Sequence, residues 1–394
     1  MFGSASCGAR NLLDKQEHGE TTLNNTNQKR RFIALTKSNW NEPPRLRHQV
    51  TELLLAHGHE VYFGERPSGP AAPVHRATAT ADGPYLFRHT ELIHHKLRMN
   101  TPLRVLNASW TSRSLRRAFE SIVLRPSDVI LNFNYDYCFL RDVVPNNVVV
   151  TLINDDFISS APTMLQPALY RAQSLTCQTS NVVLCTSPVV KERLRPGPSP
   201  ELFLPWASQG YVHPMVGRDR NVLLFWGYLG RRIDAEVVKT ILNLSEMAMP
   251  DLRIRFVGPR DPSGGAINEI ERLPRVEFQD STPLNQLQLD DVMGCFIPYV
   301  TGVPDVDAIV FPNKLFQMLG VGLPMLVTGM PHFLRSEFVF RIEKGCEMDS
   351  IAKARHRFDE IQPVIQEFLK DHQPESRYSQ LMTAVEQAAA VVAR

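Results

Sequence analysis

An α/β protein made of two facing, doubly wound domains with a cleft between them is what this sequence predicts, and three observations carry that prediction. The chain has 394 residues, too many for one ordinary hydrophobic core and enough for two. Along it, short apolar runs alternate with longer stretches of helical period, as in parallel sheets covered on both faces. The alternation breaks once, in a stretch rich in proline and glycine at 195–219, and then starts again.

Taken in order, "RFIALT" (31–36) is a strand. The helix "RLRHQVTELLLAHG" (45–58) follows, with Leu46, Val50, Leu53 and Leu54 at helical spacing and Gly58 as its stop. "HEVYFG" returns as a strand, which makes a β-α-β unit and so a parallel pair with a right-handed crossover. "DVILNFN" (128–134), "NVVVTLIN" (147–154) and "NVVLCTS" (181–187) are further buried strands. After the break come the strand "NVLLFWG" (221–227), the helix "DAEVVKTILNLSEM" (234–247) and the strands "LRIRFVG" (252–258) and "RVEFQD" (275–280). A helix is expected around "LNQLQLDDVMG", then the strand "CFIPY" (295–299). "FPNKLFQMLGVGLPMLVTG" (311–329) reads as a short helix, a glycine stop and a buried strand, and two helical segments (354–372 and 376–394) close the chain. The expected organisation is a mobile tail over 1–30, a first domain over 31–204, a linker at 205–219 and a second domain over 220–372. A last helix, 373–394, then packs back on the first domain. In such sheets ligands bind beyond the carboxyl ends of the strands, so two facing halves make a cleft for two substrates.

Composition narrows the function. Lys and Arg total 43 against 41 Asp and Glu, so no global attraction to nucleic acid arises and no nucleic-acid partner is expected. No apolar run reaches the ~18 residues of a membrane span, and the N-terminus lacks the apolar core of a signal peptide. The six cysteines are scattered without metal-ligand spacing, so neither a metal nor a disulfide framework is expected, and the location expected is cytoplasmic. One local patch stands out. Residues 88–125 hold Arg88, Lys96, Arg98, Arg104, Arg113, Arg116, Arg117 and Arg125 against Glu91 and Glu120, interleaved with Leu97, Leu103, Trp110, Leu115 and Phe119. Such a segment suits an anionic acceptor or peripheral contact with the inner membrane face; solvated helix faces are the plainer reading. His89, His94 and His95 make a poor metal site, with no cysteine or carboxylate at ligand spacing.

Chemistry concentrates at 311–329. Pro312 suits the first turn of a helix, where its missing N–H would be unpaired anyway. Free N–H groups and the helix dipole favour an anion there, and Lys314 adds a formal positive charge that the dipole alone would disfavour. A bound phosphate resolves that conflict; a lysine snorkelling to water is the alternative.

The stretch "CFIPYVTGVPDVDAIVFPNKLFQMLGVGLPMLVTG" resembles the C-terminal signature of GT-B glycosyltransferases of the branch related to family 4. "FWGYLGRRIDAEVV" (225–238) and "IRFVGP" (254–259) are similar to that family's opening of the second domain. "SNWNEPPRLRHQVTELLLAHGHEVYF", "VVVTLINDDF" and "VVLCTSPVVKERL" are similar to its first domain, so the likeness spans roughly 31–340 in the family's order. It implies two Rossmann-like domains and transfer of a sugar from a nucleotide-diphosphate sugar, UDP or GDP type, to a carbohydrate or lipid-linked acceptor in polysaccharide biosynthesis. Retention of configuration and independence of metal are implied too, with no cofactor besides the sugar nucleotide. Two departures matter. Where the family carries a pair of glutamates, this chain has Ile309 and Gln317, and Asp305 or Asp307 is then a candidate to replace the lost carboxylate.

On this reading Lys314, Arg231 and Arg232 form a diphosphate clamp beside Gly227 and Gly230, with at least one of the two arginines expected to be a solvated turn residue instead, Pro312 and Asn313 at the helix start, and Gly258 and Pro259 at the nucleobase wall or in a plain turn. Gln317 faces the ribose. From the first domain, Trp40, Arg45 and His48 approach from one loop, and Asn154, Asp155 and Asp156 from a strand end, Asp155 being the first choice to face the transferred sugar. Either acid has capping of the next segment as its alternative role, and His48 that of an ordinary partly buried histidine. Rival functions are a two-domain nucleotide-sugar epimerase and a glycosyltransferase-like binding partner without catalysis. No strand is followed by Gly-x-Gly-x-x-Gly, which argues against a dehydrogenase.

Overall fold

The computed structural model describes residues 29–392 apart from 43, 82, 94–100, 157, 160, 195–197, 209, 215–219 and 262–264. The first domain runs β1 (Arg31–Leu35), α1 (Leu46–Ala56), β2 (Glu60–Gly64), β3 (His75–Ala79), β4 (Tyr85–Arg88), α2 (Thr101–Ser121) and β5 (Val129–Asn132). It continues with α3 (Leu140–Val143), β6 (Val148–Ile153), α4 (Gln166–Gln178), β7 (Val182–Cys185), α5 (Pro188–Arg193) and β8 (Glu201–Leu202). The strands form one sheet in the order β3-β4-β2-β1-β5-β6-β7-β8, parallel except for the β3–β4 pair. Period-two alternation sorts β1 between two cores. Phe32 and Ala34 face α1, while Ile33 and Leu35 face α2. Both faces are covered, which is why these strands read as continuous apolar runs.

The second domain runs β9 (Val222–Trp226), α6 (Ala235–Ala248), β10 (Arg253–Val257), α7 (Gly265–Ile270), β11 (Val276–Gln279), β12 (Val292–Pro298) and α8 (Pro304–Asp307). Then come α9 (Asn313–Gly320), β13 (Met325–Thr328), β14 (Val339–Arg341), α10 (Glu347–His356), α11 (Gln362–Lys370) and finally α12 (Pro374–Val392). Its sheet is wholly parallel, in the order β11-β10-β9-β12-β13-β14. Strand order reverses between β9 and β12, so a crevice opens beyond their carboxyl ends. Asp234 starts α6 by accepting from the N–H groups of Glu236 and Val237. The last helix, α12, returns to the first domain, where Leu381, Val385 and Ala388 join the core beneath β6 and β7.

Several expectations change. The helix expected around 284–294 is a single 3₁₀ turn, Leu284–Gln286, and β12 already begins at Val292. Tertiary pairing overrides the leucine spacing, because the Asp291 carbonyl accepts from the N–H groups of Asn221 and Val222 and starts the β9–β12 ladder. The linker expected at 205–219 begins as a packed joint, with Trp206 in the first core and Ala207 in the second. Of the tail expected over 1–30, residues 1–28 lie outside the described residues, while the backbone of Arg30 is tied to His59 and Glu60. His94, His95, Lys96 and Arg98 of the basic segment also lie outside them.

Candidate functional site

The carboxyl ends of the two sheets face a cavity of about 340 Å³, lined from the first domain by Arg45, Asn154, Asp155 and Asp156 and from the second by Arg232, Asp305, Pro312, Asn313 and Lys314. Its floor is tied across the domains by the Ser187 hydroxyl, which donates to the Ala308 carbonyl at 3.3 Å.

On the second-domain wall, α9 buries Leu315, Phe316, Met318 and Leu319, which fixes Lys314 at the edge. The Lys314 ammonium lies 3.5 Å from the centre of the Phe225 ring and 5.7 Å from that of Tyr299, at the ends of β9 and β12 where strand order reverses. It has no carboxylate partner among the described residues, and the first turn of α9 has no acid. Pro312 is the cap of α9 rather than its first helical residue, since its ψ of 149° is extended, so Asn313 begins the helix. Gly227 (φ 133°) lets the chain pass so close that a Cβ there would stand 3.2 Å from Lys314 Cε. Gly258 (φ 143°) backs onto Gly227, where a Cβ would lie 2.0 Å from the Gly227 carbonyl oxygen.

The two arginines of the expected clamp separate. Both pair with the buried Asp305 carboxylate, Arg232 Nε at 2.9 Å and Arg231 Nη2 at 3.3 Å. Consecutive turn residues diverge, however. Arg232 lines the cavity, while the Arg231 side chain is 70% exposed and does not. Asp305 is thus an anchor for arginines. Asp307 stands off the cavity wall, with Oδ1 buried and without a hydrogen bond. Gly230 and Pro259 sit in the adjoining turns, where Gly230 accepts from Ile233 and Pro259 from Leu229, and neither lines the cavity, nor does Gly258.

Gln317 opens on a second, smaller chamber of about 190 Å³ bounded by Gln49, Ser208, Asn285 and Asn313. Its amide donates to the Trp206 carbonyl at 2.9 Å and the Ser208 hydroxyl at 3.2 Å. Gln49 donates to the same two acceptors from the first domain, so the joint is held from both sides. Pro44 and Asn313 border both chambers.

On the first-domain wall, Asp155 lines the cavity, and desolvation by the protein around it pushes its carboxyl above the usual range. Arg232, Arg47 and Arg45 oppose that rise. Asn154 donates to it at 3.1 Å. Asp156 takes the capping role instead, accepting from the Ser159 N–H at 3.0 Å and its hydroxyl at 2.6 Å and pairing with Arg193. Trp40 and His48 are not at the cavity. They pack on Phe63 and on each other, and His48 holds the loop by accepting from Arg45 N–H and donating to the Asn39 carbonyl. Burial pushes the His48 pKa down, so it stays neutral. Apolar rings at the β1–α1 turn find a core before they find a ligand.

One residue was not singled out from the sequence. Arg47 is only 6% exposed, its side chain forms no ion pair among the described residues and leaves Nε buried without a hydrogen bond, and burial pushes its pKa down to about 10. The signal available was two arginines opening a helix with no acid in its first turn.

No family model matches the chain, and no curated protein matches it in sequence. Solved structures do resemble it. A sucrose-phosphate synthase from Thermosynechococcus elongatus is 14% identical with a TM-score of 0.66, over 92% of this chain and 100% of that one. An alpha,alpha-trehalose 6-phosphate synthase from Burkholderia multivorans is 10% identical with a TM-score of 0.63, over 92% and 99%. HepE from Anabaena, in complex with UDP and glucose, is 9% identical with a TM-score of 0.60, over 91% and 100%. Over nearly its whole length, then, the chain has the GT-B fold, two Rossmann-like domains around a cleft.

Proposed function

We propose that the protein is a glycosyltransferase of the family 4 type that moves a sugar from a nucleoside-diphosphate sugar, UDP first, to a carbohydrate or lipid-linked acceptor with retention of configuration. The observation that carries the reading is Lys314, a cation without a carboxylate partner among the described residues, at a helix start in the interdomain cavity where the strand order reverses. Breaking the bond to the diphosphate builds negative charge on the leaving phosphate, and a fixed cation beside a helix N-terminus stabilises that charge. Arg232, held by Asp305, adds a second cation at the same wall. Asp155 faces them from the first domain, placed to bind sugar hydroxyls or to steady positive charge at the anomeric carbon. The amide-lined chamber at Gln317 is of the right character for ribose hydroxyls, without the charge assistance a carboxylate would give.

Peripheral membrane contact belongs to the same reading. Val105 and Leu106 on α2 are 62% and 58% exposed, and Leu103 and Trp110 project beside exposed Arg113, Arg116 and Arg117. No helix among the described residues is long and apolar enough to cross a membrane.

A thermal-shift comparison of UDP with uridine tests the donor site. UDP should raise the melting temperature where uridine does not, and Lys314→Ala and Arg232→Ala should each remove most of the rise. A response to neither ligand points to the non-catalytic binding partner, and turnover of UDP-sugar with no acceptor to the epimerase.

A further inference from the structure

We propose that a cavity at the amino edge of the first sheet is a second ligand site, which takes a mononucleotide with its phosphoryl group among Lys29, Arg30 and Arg125 and its planar ring on Tyr85. The site does not depend on the glycosyltransferase reading, because it lies at the opposite end of the strands from the interdomain cleft.

Topology makes the place. β1, β2, β4 and β5 are parallel neighbours, so their starts lie side by side, and α1 runs back to the same edge. These segments enclose about 600 Å³, a volume within the ~300–1,000 Å³ of small-molecule pockets. β1 is five residues long, so roughly 15 Å of strand separates this edge from the cleft side. The floor is built. Asp128 is 1% and Arg31 7% exposed, and Arg31 Nε donates to the Asp128 carboxylate at 3.0 Å. One wall is fixed by His59, which accepts from the Arg30 N–H at 3.1 Å and donates to the Tyr378 hydroxyl of α12 at 2.7 Å.

Charge at this edge is unbalanced. Lys29, Arg30, Arg31 and Arg125 share the cavity with two carboxylates, Glu60 and Asp128, and both acids are already taken. Asp128 accepts from Arg31 and from the Arg125 N–H, and Glu60 holds the Tyr62 hydroxyl. Helix ends account for part of the excess. Arg31 donates to the Ile122 and Val123 carbonyls at the end of α2, and Lys29 crosses the end of α1, its Cε 3.7 Å from where a Cβ on Gly58 would stand. The side chains of Arg30 and Arg125 donate to no helix carbonyl. Arg30 reaches only Glu386, at 4.0 Å, and neither Lys29 nor the Arg125 guanidinium has an ion pair among the described residues. Guanidinium and ammonium groups converging on one cavity match a phosphoryl group.

The ring is the second observation. Tyr85 faces Tyr62 across the β2–β4 pair and stacks on it at 4.9 Å and 18°, and Tyr62 packs in turn on the Arg31 guanidinium at 5.1 Å. One face of Tyr85 is thereby held, yet the residue is 38% exposed and lines the cavity. A rigid aromatic platform beside unpaired cations is the arrangement on which a base stacks while its phosphate is bound.

The test uses the full chain with UDP at saturation, so that the donor site is filled. Equilibrium dialysis at constant ionic strength reads the binding of AMP, UMP, adenosine and inorganic phosphate. At least one mononucleotide should bind, one per chain, with adenosine and inorganic phosphate weaker by about tenfold or more. The double variant Lys29→Gln/Arg125→Gln should weaken the mononucleotide by about tenfold or more, and Tyr85→Leu should weaken it while leaving inorganic phosphate within about twofold. These variants should keep their UDP affinity, and Lys314→Ala should keep the mononucleotide. No mononucleotide bound beside UDP overturns the site, as does binding that survives the double variant or is lost in Lys314→Ala. Inorganic phosphate bound as tightly as the nucleotide, with Tyr85→Leu changing neither, means an adventitious ion only and overturns it too. A protein that ignores UDP but loses the mononucleotide in the edge variants alone sinks the donor reading and leaves this site standing.

Discussion

Gly258→Ala should destabilise the second domain severely and weaken nucleotide binding, and the size of the effect follows from backbone geometry. Gly258 ends β10 at φ 143°, a conformation L side chains rarely adopt, and strain of that kind costs about 1–3 kcal/mol. Its new methyl would stand 2.0 Å from the Gly227 carbonyl oxygen and 2.8 Å from the carbonyl carbon. That obstacle is backbone and cannot rotate away, so relief means moving the β9 turn, at an overpacking cost of about 1–3 kcal/mol. Together these give about 2–6 kcal/mol against a whole-domain stability of ~5–15 kcal/mol. The turn that must move carries Gly227, which lies against the Lys314 side chain, so displacement reaches the donor site. Urea denaturation read by tryptophan fluorescence measures the loss, since Trp226 lies at the end of β9. Gly69→Ala is the control, since nothing lies within 4 Å of its Cβ, and it should stay within about 0.5 kcal/mol of wild type. If Gly258→Ala unfolds within about 0.5 kcal/mol of that control, the back-to-back arrangement of the two glycines is wrong.

Asp155→Asn should lower turnover about a hundredfold while leaving UDP affinity nearly unchanged, and wild-type turnover should rise with pH through a value above the ordinary carboxylate range, because desolvation by the protein around it favours the protonated acid; an unchanged turnover number contradicts its role. A second acid shapes stability. Burial first, and then the neighbouring Asp136, which Lys37 pairs with at 3.0 Å, push Glu91 up to about 8 from an ordinary 4.5. The folded state therefore holds a proton that the unfolded state has released, so stability should fall as pH rises from about 5 to 8. Glu91→Gln should flatten that slope in denaturation curves, and an unchanged slope refutes the assignment. Vesicles containing phosphatidylglycerol should sediment the protein where pure phosphatidylcholine does not, with the binding weakened by salt and by Leu106→Asp; equal binding to both compositions removes α2 as the contact.

Strands β5, β6, β9 and β12 were legible because burial on both faces leaves an unbroken apolar signature, and Gly58 marked its helix end by its positive φ. β3, at the sheet edge, and β4 beside it were not, since both are short and partly exposed. The false helix at 284–294 shows the limit of periodicity, because spacing cannot reveal that Asp291 is claimed by a neighbouring strand. Lys314 was readable from proline, glycine and charge within one short stretch. Arg231 and Arg232 are identical letters, and only the turn decides which one meets the cavity. Trp40 and His48 carry ligand-like side chains but are used as packing, while Arg47 looks like any surface arginine until its burial is known.

Most directly, the donor site is tested by determining the structure of the protein crystallised with UDP. The diphosphate should lie within hydrogen-bond distance of the Lys314 ammonium and the first turn of α9, with the lysine lifted from the Phe225 ring and Arg232 alongside. A nucleotide bound elsewhere, or one whose phosphates point to bulk water while Lys314 still covers the ring, contradicts the account.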